Sequence, residues 1–557
     1  MTSYHLVVLV HGLWGNAAHF DYIRTALQEH ARAWSDDQDE ELLIYTTALN
    51  EGFKTYDGID VCGYRVAEEI TDQIEAFDSS SEVGKITKFS MVGYSLGGLI
   101  SRYALGLLHR RQYFKIKDIQ LINFTTFCTP HVGVLAPGRN MAVRIFNSTV
   151  PWLLGNSGKQ MFLKDNVSSS GNGSTRGQPL IYLMSLENTV FYKALESFKY
   201  RSLYANTIND KRTAWWTAGI SLNDPFFNID EYNGLRVFQY IEGFDTVVVD
   251  RTKMIVISQA TVAMKEEDEA LNDVESKGKY EDIGQDSARH MGQDFYFLNY
   301  WFLKISKWIL VIINILIIAP LLLVWKIVQS AAEMTISTVR VTRFLNKYSH
   351  QILRDFFELP GPTDFDDSLS VSVSDIGSPE PGDNEICSLK STLSRASSIR
   401  SNDKGNSTFS TEYGSYLGLE ESLNDQADYL MESVYDAIER KNTHGGVIEK
   451  AQSGSSKPDE NSLAVSIIEL ENRSAEQLTA KHGKQKEQLI KNLDLNLPAK
   501  QRAIIKSLNK LDWEKYPIYI RKTTSTHACA IVRQMDPDFQ EGKVVVDHWI
   551  KNVFRRD

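Results

Sequence analysis

Cysteine is scarce in this chain: four in 557 residues, Cys62, Cys128, Cys387 and Cys529. Their spacing builds neither a disulfide framework nor a metal-ligand set, so a reducing, cytosol-facing protein without a metal or cofactor is expected. Positive charge is also in deficit. Sixty Lys and Arg stand against 71 Asp and Glu, a net charge of −11, which argues against nucleic acid as a partner. No charged and apolar leader precedes the first apolar run, which starts within a few residues of Met1, so no signal peptide is expected. No internal repeat is visible, and only one long apolar run occurs. The length allows roughly three or four average domains, or one large unit carrying a long insertion.

What the chain does have is concentrated in Ile86–Ile100, ITKFSMVGYSLGGLI. A short apolar strand runs into Gly93-Tyr94-Ser95-Leu96-Gly97 and then into a helical pattern. This is the G-x-S-x-G elbow in its proper setting of strand, sharp turn and helix, which lifts a serine hydroxyl above a sheet and places a helix N-terminus beneath it. Near the N-terminus, the apolar run His5–Val10 reads as a buried parallel strand and leads directly into His11-Gly12-Leu13-Trp14-Gly15. A His-Gly loop after an early strand supplies one of two oxyanion-holding amides in α/β-hydrolases, so the N–H groups of Leu13 and Leu96 are the expected pair.

A serine needs a histidine to take its proton, and that histidine needs a carboxylate to fix its tautomer. In this fold the chain order is Ser, then acid, then His. Arg201–Asn206 reads as a strand and Thr207-Ile208-Asn209-Asp210 as the turn after it, which makes Asp210 the candidate acid ahead of Asp245 in Gly243-Phe244-Asp245-Thr246. Of the six histidines after Asp210, only His527 follows a strand and a loop: Pro517–Ile520, with Pro517 at its first position, then Thr523–Thr526. His548 reads instead as a packing residue on a closing helix.

Together, His11-Gly12-Leu13-Trp14-Gly15-Asn16, Gly93-Tyr94-Ser95-Leu96-Gly97-Gly98, Thr129-Pro130-His131-Val132-Gly133, Asn209-Asp210, Thr526-His527-Ala528 and Gly542-Lys543-Val544-Val545 resemble the fungal family of putative serine esterases, nearest to its yeast lipid-droplet phospholipase branch. The resemblance covers about residues 4–217 and 495–554. It implies a Ser95, Asp210, His527 triad acting on acyl esters of glycerophospholipids. His131, Trp14 and Trp152 are candidate substrate contacts.

Candidate strands at His5–Val10, Leu42–Thr46, Ile86–Val92, Ile119–Phe124 and Arg201–Ala205 alternate with helical patterns such as Tyr64–Phe77 and Leu99–His109. That rhythm predicts an α/β-hydrolase fold with a mostly parallel sheet. Gly138–Gly155, with Phe146, Val150, Trp152, Leu153 and Leu154, sits where hydrolases often insert a lid, and it reads equally as an ordinary packed helix. The expected division is residues 1–221 for the first part of the core, 222–359 for an insertion carrying a membrane-associated segment at 300–328, 360–475 for a low-complexity and largely disordered stretch, and 476–557 for the part that completes the core.

The apolar run is Trp308–Trp325, 18 residues without a charge, flanked by Lys304, Lys307 and Lys326 and by Tyr300 and Trp301. Alone it would read as a minimal transmembrane helix. One crossing would separate His527 from Ser95, however. A hairpin that enters and leaves the same leaflet is therefore expected, bent at Pro320, with Arg340, Arg343, Lys347 and Arg354 facing anionic headgroups. A lipid-droplet monolayer or the cytosolic leaflet of the endoplasmic reticulum fits this. Beyond it, Pro360 to about Ser415 has a disordered composition, and Arg395-Ala396-Ser397-Ser398 makes a kinase acting on Ser397 or Ser398 an expected partner. Gln426–Lys441 and Glu476–Leu493 read as solvated helices, and Pro498–Leu511 as an amphipathic one. The function expected is a serine hydrolase cleaving phospholipid acyl esters. The alternatives are an acylglycerol lipase or other carboxylesterase, and a catalytically weak membrane-bound scaffold.

Overall fold

The computed structural model describes residues 2–32, 40–80, 84–138, 141–167, 177–208, 210, 212–226, 238–258, 319–357, 447–449 and 463–557. Most of the apolar run, the kinase-like motif at 395–398 and the helical pattern at 426–441 lie outside them. Among the described residues, no helix is long and apolar enough to cross a membrane.

Six strands form one sheet: β1 (Thr2–Val10), β2 (Glu40–Thr46), β3 (Gly84–Tyr94), β4 (Gln120–Phe127), β5 (Tyr200–Asn206) and, after a small second sheet, β9 (Trp513–Ile518). Their order is β2-β1-β3-β4-β5-β9 and every pairing is parallel. With helices packed on it, this is the central sheet of an α/β-hydrolase, and the apolar runs are continuous because both faces are covered. Val7 and Leu9 of β1 join Phe20, Ile23 and Leu27, the last two on α1 (Asp21–Arg32), and the C-terminal Val545, Val546 and Trp549 in one buried cluster. Strand parity turns Leu6 and Val8 the other way, where α2 (Ile59–Ser80) and the almost wholly buried α3 (Leu96–Arg110) lie.

The last strand begins four residues earlier than its sequence pattern suggested, so Pro517 is an interior residue and not the first. It is tolerated for another reason. Its carbonyl accepts from Val249 N–H on the side away from β5, so the N–H it lacks also points away from the ladder.

In the expected lid, α4 (Met141–Leu153) is followed by α5 (Gly155–Met161). Val143, Phe146 and Val150 are buried, while Met141, Ile145 and Trp152 stand 75%, 54% and 63% exposed. Trp152 is thus a surface residue of α4, not a pocket lining.

The apolar run feeds into the 39-residue α6 (Ala319–Phe357), with Pro320 in its first described turn. Part of α6 docks on the core: Phe344 and Tyr348 pack around Tyr64. Arg340 does not face outward as expected. Its guanidinium binds the buried Asp57, whereas Arg343 and Lys347 are exposed.

Strand β6 (Met254–Ser258) pairs antiparallel with β7 (Val447–Glu449) and β8 (Leu463–Ser466) in a second sheet. Two of these strands come from the stretch expected to lack structure; the alternation in Leu463-Ala464-Val465-Ser466 buries Leu463 and Val465. The segment 476–493 is likewise not fully solvated, since Leu478, Leu489 and Ile490 are buried. The sequence then passes through α7 (Ala499–Leu508) to β9, and the chain closes with α8 (Gln540–His548).

This second sheet is tied to β9 by a buried charge cluster. Glu471 accepts from Arg251 at 2.6 Å and lies 3.5 Å from Lys515 Nζ, which also donates to Ile220 O and Asn509 Oδ1. Burial pushes the Lys515 amine down to about 8, against the pull of Glu471. Removing one partner of such a cluster strands the others in low dielectric, so Glu471→Ala should cost about 3–5 kcal/mol. A chemical-denaturation midpoint unchanged from the parent protein would refute this.

Candidate active site

Ser95 occupies the single residue between β3 and α3, at φ 55° and ψ −129°. A non-glycine residue at positive φ is strained and persists only where its surroundings over-determine it. Here they do. Ser95 N–H is fixed to Phe127 O at 2.9 Å, and α3 begins at once because Gly97 lets the helix slide under β1: a Cβ there would stand 2.1 Å from the Val10 carbonyl oxygen. On the other side, a Cβ at Gly12 would lie 2.7 Å from Ser95 Cβ and 3.2 Å from its Oγ, so the His11–Gly15 loop passes directly against the hydroxyl. Leu96 is the first residue of α3, where a backbone N–H has no acceptor within the helix. Leu13 follows Gly12 on the abutting loop. Leu96 thus adjoins Ser95 in the chain, and Leu13 is the residue after the glycine that faces it.

His527 sits in the one-turn helix Thr526–Cys529 beyond β9. Tyr94, next to Ser95 in sequence, holds it: the phenol donates to the His527 carbonyl at 3.0 Å and the two rings lie 5.1 Å apart. The imidazole Nδ1 is 2.9 Å from Asp210 Oδ2. Its Nε2 is buried and has no hydrogen-bond partner. A ring fixed through Nδ1 by a carboxylate, with Nε2 free in a buried position, is arranged to take a proton.

Asp210 is saturated as an acceptor. Oδ2 receives His527 and Asn206 Nδ2 (2.9 Å), and Oδ1 receives the N–H groups of Arg212 (3.1 Å) and Thr213 (2.8 Å). Burial alone would raise its pKa, but the His527 charge and these hydrogen bonds outweigh it and hold the carboxyl below its usual value. Asp245 is exposed in a turn, and the carboxylate bonded to His527 is that of Asp210.

Two residues here carry no motif in the sequence. Asn206, the last residue of β5, donates both to Asp210 and to Cys128 Sγ, the latter at 3.3 Å. Ligand atoms of Cys128, Asp210 and His527 all fall within 4.8 Å of one another. Burial first, and then the Asp210 charge, push the Cys128 thiol well above its ordinary range, so it stays a neutral filler behind the acid and not a thiolate ligand. The one legible sign of Asn206 was an amide directly after the apolar and aromatic Leu203-Tyr204-Ala205 of β5.

Of the tentative substrate contacts, only Trp14 is near the site, half-buried on the loop beside Gly12. His131 is not a contact. It is fully buried, with Nε2 bonded to Thr126 Oγ1 at 2.9 Å and its ring edge-on to Trp513, and its carbonyl accepts from the equally buried Arg102. Burial and the nearby Arg102 and Lys515 charges hold it well below its ordinary pKa, a neutral core histidine. His548 packs as expected: Nδ1 lies 2.7 Å from Tyr204 OH, and burial lowers its pKa to about 4.

The elbow should not tolerate a side chain at its second glycine. In Gly97→Ala the Cβ would meet two backbone carbonyls, Val10 and His11, at 2.1 and 2.5 Å, and neither can move without shifting β1. A thermal melt should show loss of about 1–3 kcal/mol or more of stability. A wild-type melting curve would show that the close approach is not a constraint.

Residues 1–221 match the family described as putative serine esterase. Curated relatives include a putative lipase of Saccharomyces cerevisiae, 32% identical over 207 residues (37% of this chain, 28% of the relative). The putative lipase ROG1 of the same yeast is 29% identical over 221 residues (40% and 29%), and a putative lipase of Schizosaccharomyces pombe 28% over 221 (39% and 26%). The matched stretch thus spans well under two thirds of each relative. Among solved structures, phospholipase PlaB from Legionella pneumophila is 14% identical over 39% of this chain and 43% of its own (TM-score 0.23), and Aspergillus fumigatus lipase B 17% over 27% and 31% (TM-score 0.18). Scores this low leave the fold assignment to rest on the strand order itself. The elbow at Ser95 and the acid Asp210 lie inside the stretch that matches the putative serine esterase family, while His527, which Asp210 holds, comes from the far end of the chain.

Proposed function

We propose that this protein is a serine hydrolase that cleaves fatty-acyl esters of glycerophospholipids at a lipid-droplet or endoplasmic-reticulum surface, from the cytosolic side. The observation that carries the hydrolase reading is the His527 ring, tied through Nδ1 to Asp210, free at Nε2 and packed against Tyr94, the neighbour of the strained Ser95. In acylation, Nε2 takes the Ser95 proton as Oγ attacks the acyl carbonyl. The negative charge that develops on the carbonyl oxygen is held by the Leu13 and Leu96 N–H groups, where each such donor is worth about 3–4 kcal/mol. The imidazolium then gives its proton to the departing lysophospholipid oxygen, leaving an acyl group on Ser95. Water, deprotonated by the same nitrogen, releases the fatty acid and restores the hydroxyl.

Two features support a lipid surface. The apolar run reaches a helix whose later turns are docked on the core, which would hold the site close to whatever surface the run enters. Moreover, Asp210 precedes the run and His527 follows it, and their bond supports a topology in which both flanks emerge on one side.

Ser95→Ala should abolish labelling by a fluorophosphonate probe. Asp210→Asn should lower kcat by about 10⁴-fold, having lost the group that fixes the His527 tautomer. His527→Ala should be equally severe, and His548→Ala mild. Full turnover in His527→Ala together with loss in His548→Ala would refute the base assignment. Profiling of lipids with the Ser95→Ala protein as control should show glycerophospholipids as the class consumed; acylglycerols alone would refute the substrate class. In intact membranes, protease should cut both flanks of residues 308–325 from the cytosolic side. Protection of one flank would exclude the same-side topology.

A further inference from the structure

We propose that Arg340, on the helix that emerges from the apolar run, is a positioning residue for the oxyanion site. It would act through Asp57 and the 3-10 turn Gly52–Asp57, a role that rests on the reading of the Leu13 N–H as an oxyanion donor.

The loop that offers this N–H is not self-supporting. Trp14, the next residue, sits at φ 54°, a left-handed conformation that disfavours any residue with a Cβ. The loop closes on itself through Gly15 N–H to Gly12 O at 3.0 Å, and three further contacts fix it to the 3-10 turn. Trp14 N–H donates to Thr55 Oγ1 at 3.1 Å, Gly52 N–H donates to Gly15 O at 3.0 Å, and the Trp14 ring leans on Tyr56 at 6.1 Å. A shift of this turn would therefore move Trp14 and, with it, the Leu13 amide.

Asp57 ends the turn with its side chain wholly buried. Arg340 bridges the two ends of the turn. Its Nε lies 3.1 Å from both carboxylate oxygens and its Nη2 is 2.8 Å from Oδ1, while Nη2 also donates to Phe53 O at 3.3 Å. Ser337, one helical turn earlier on α6, adds an O–H donor to Oδ1 at 2.6 Å. Arg65 of α2 completes the set at 2.7 Å from Oδ2. On the opposite side, Ser157 of α5 donates to Thr55 O and accepts from Gly58 N–H. Of the two guanidinium groups on Asp57, that of Arg65 reaches Oδ2, whereas the one from α6 reaches both carboxylate oxygens and also grips the backbone at Phe53 O. A lysine in its place could supply the charge but not the geometry. The helix that leads away from the apolar run is thus bolted to the floor of the loop that faces Ser95.

The test uses the full chain in detergent with a soluble short-chain ester, so that membrane residence does not limit the rate. Active sites are counted from the end-point of fluorophosphonate labelling. In Arg340→Ala, kcat per labelled site should fall about 10–100-fold, as expected when an oxyanion donor is displaced by a fraction of an ångström, with KM within about twofold. Arg340→Lys should recover part of kcat. Arg343→Ala, which alters an exposed charge on the same helix, should match the parent protein. If Arg340→Ala fails to fold, Arg340→Lys and Ser337→Ala decide: lowered kcat at full labelling supports the proposal, and unchanged kcat overturns it. A lower melting temperature with kcat per labelled site unchanged in Arg340→Ala would show a structural role only and also overturn it. Turnover retained in Ser95→Ala would instead bring down the underlying hydrolase reading, and this proposal with it, by a separate measurement.

Discussion

The hydrogen bond between His527 Nδ1 and Asp210 Oδ2 joins positions 317 residues apart, and much of the molecule follows from keeping it. Asp210 must stand at the end of β5 and His527 beyond β9, so those strands must be neighbours and parallel. They are, with Asn206 opposite Ile518. The chain between them leaves at the carboxyl end of β5 and must cross to the opposite end of the sheet, where β9 begins at Trp513 beside Arg201. The long excursion therefore occurs at the edge of the sheet, between β5 and β9.

The surroundings of that bond show how a buried carboxylate is kept charged. Desolvation opposes ionisation of Asp210, and four donors counter it: His527, Asn206 and two backbone N–H groups. Cys128, which shares Asn206 with the acid, is pushed up by burial and by the Asp210 charge and remains a thiol. His527, whose Nε2 is left without a partner, is held by the acid through its other nitrogen.

The sheet was legible in the sequence because buried parallel strands read as unbroken apolar runs, and β1 to β5 lie where those runs are, within a few residues. The elbow was legible because its glycines answer to local contacts with the next turn of chain. Long-range partners were not. Nothing near Asp57 or Arg340 marks them as a pair, and the basic stretch on α6 looked like a membrane-facing one because charge patterning does not tell a paired arginine from a free one. His131 failed for a related reason: a histidine in a motif-like loop carries no sign of whether Arg102 and Trp513 will enclose it. Strand β9 was misplaced by treating Pro517 as punctuation, since only the sheet shows that its missing N–H faces away from the ladder.

An insertion of this size between an acid and its base is physically inexpensive at this position. The entropy of closing a flexible loop grows only logarithmically, about 0.6 kcal/mol per doubling of its length. The greater danger is loss of register in a strand that returns after a long absence. Strand β9 is guarded against this on both sides. Thr207 N–H is bonded to Ile518 O from the β5 side. Outside, the residues just before the second sheet take over, with Val249 N–H on Pro517 O and Tyr519 N–H on Val247 O. The Arg251–Glu471–Lys515 cluster then ties both ends of the excursion to the same strand. The insertion therefore does more than interrupt the hydrolase: its two ends fix the strand from which His527 is presented, and the helix that follows the apolar run grips the turn beneath Leu13.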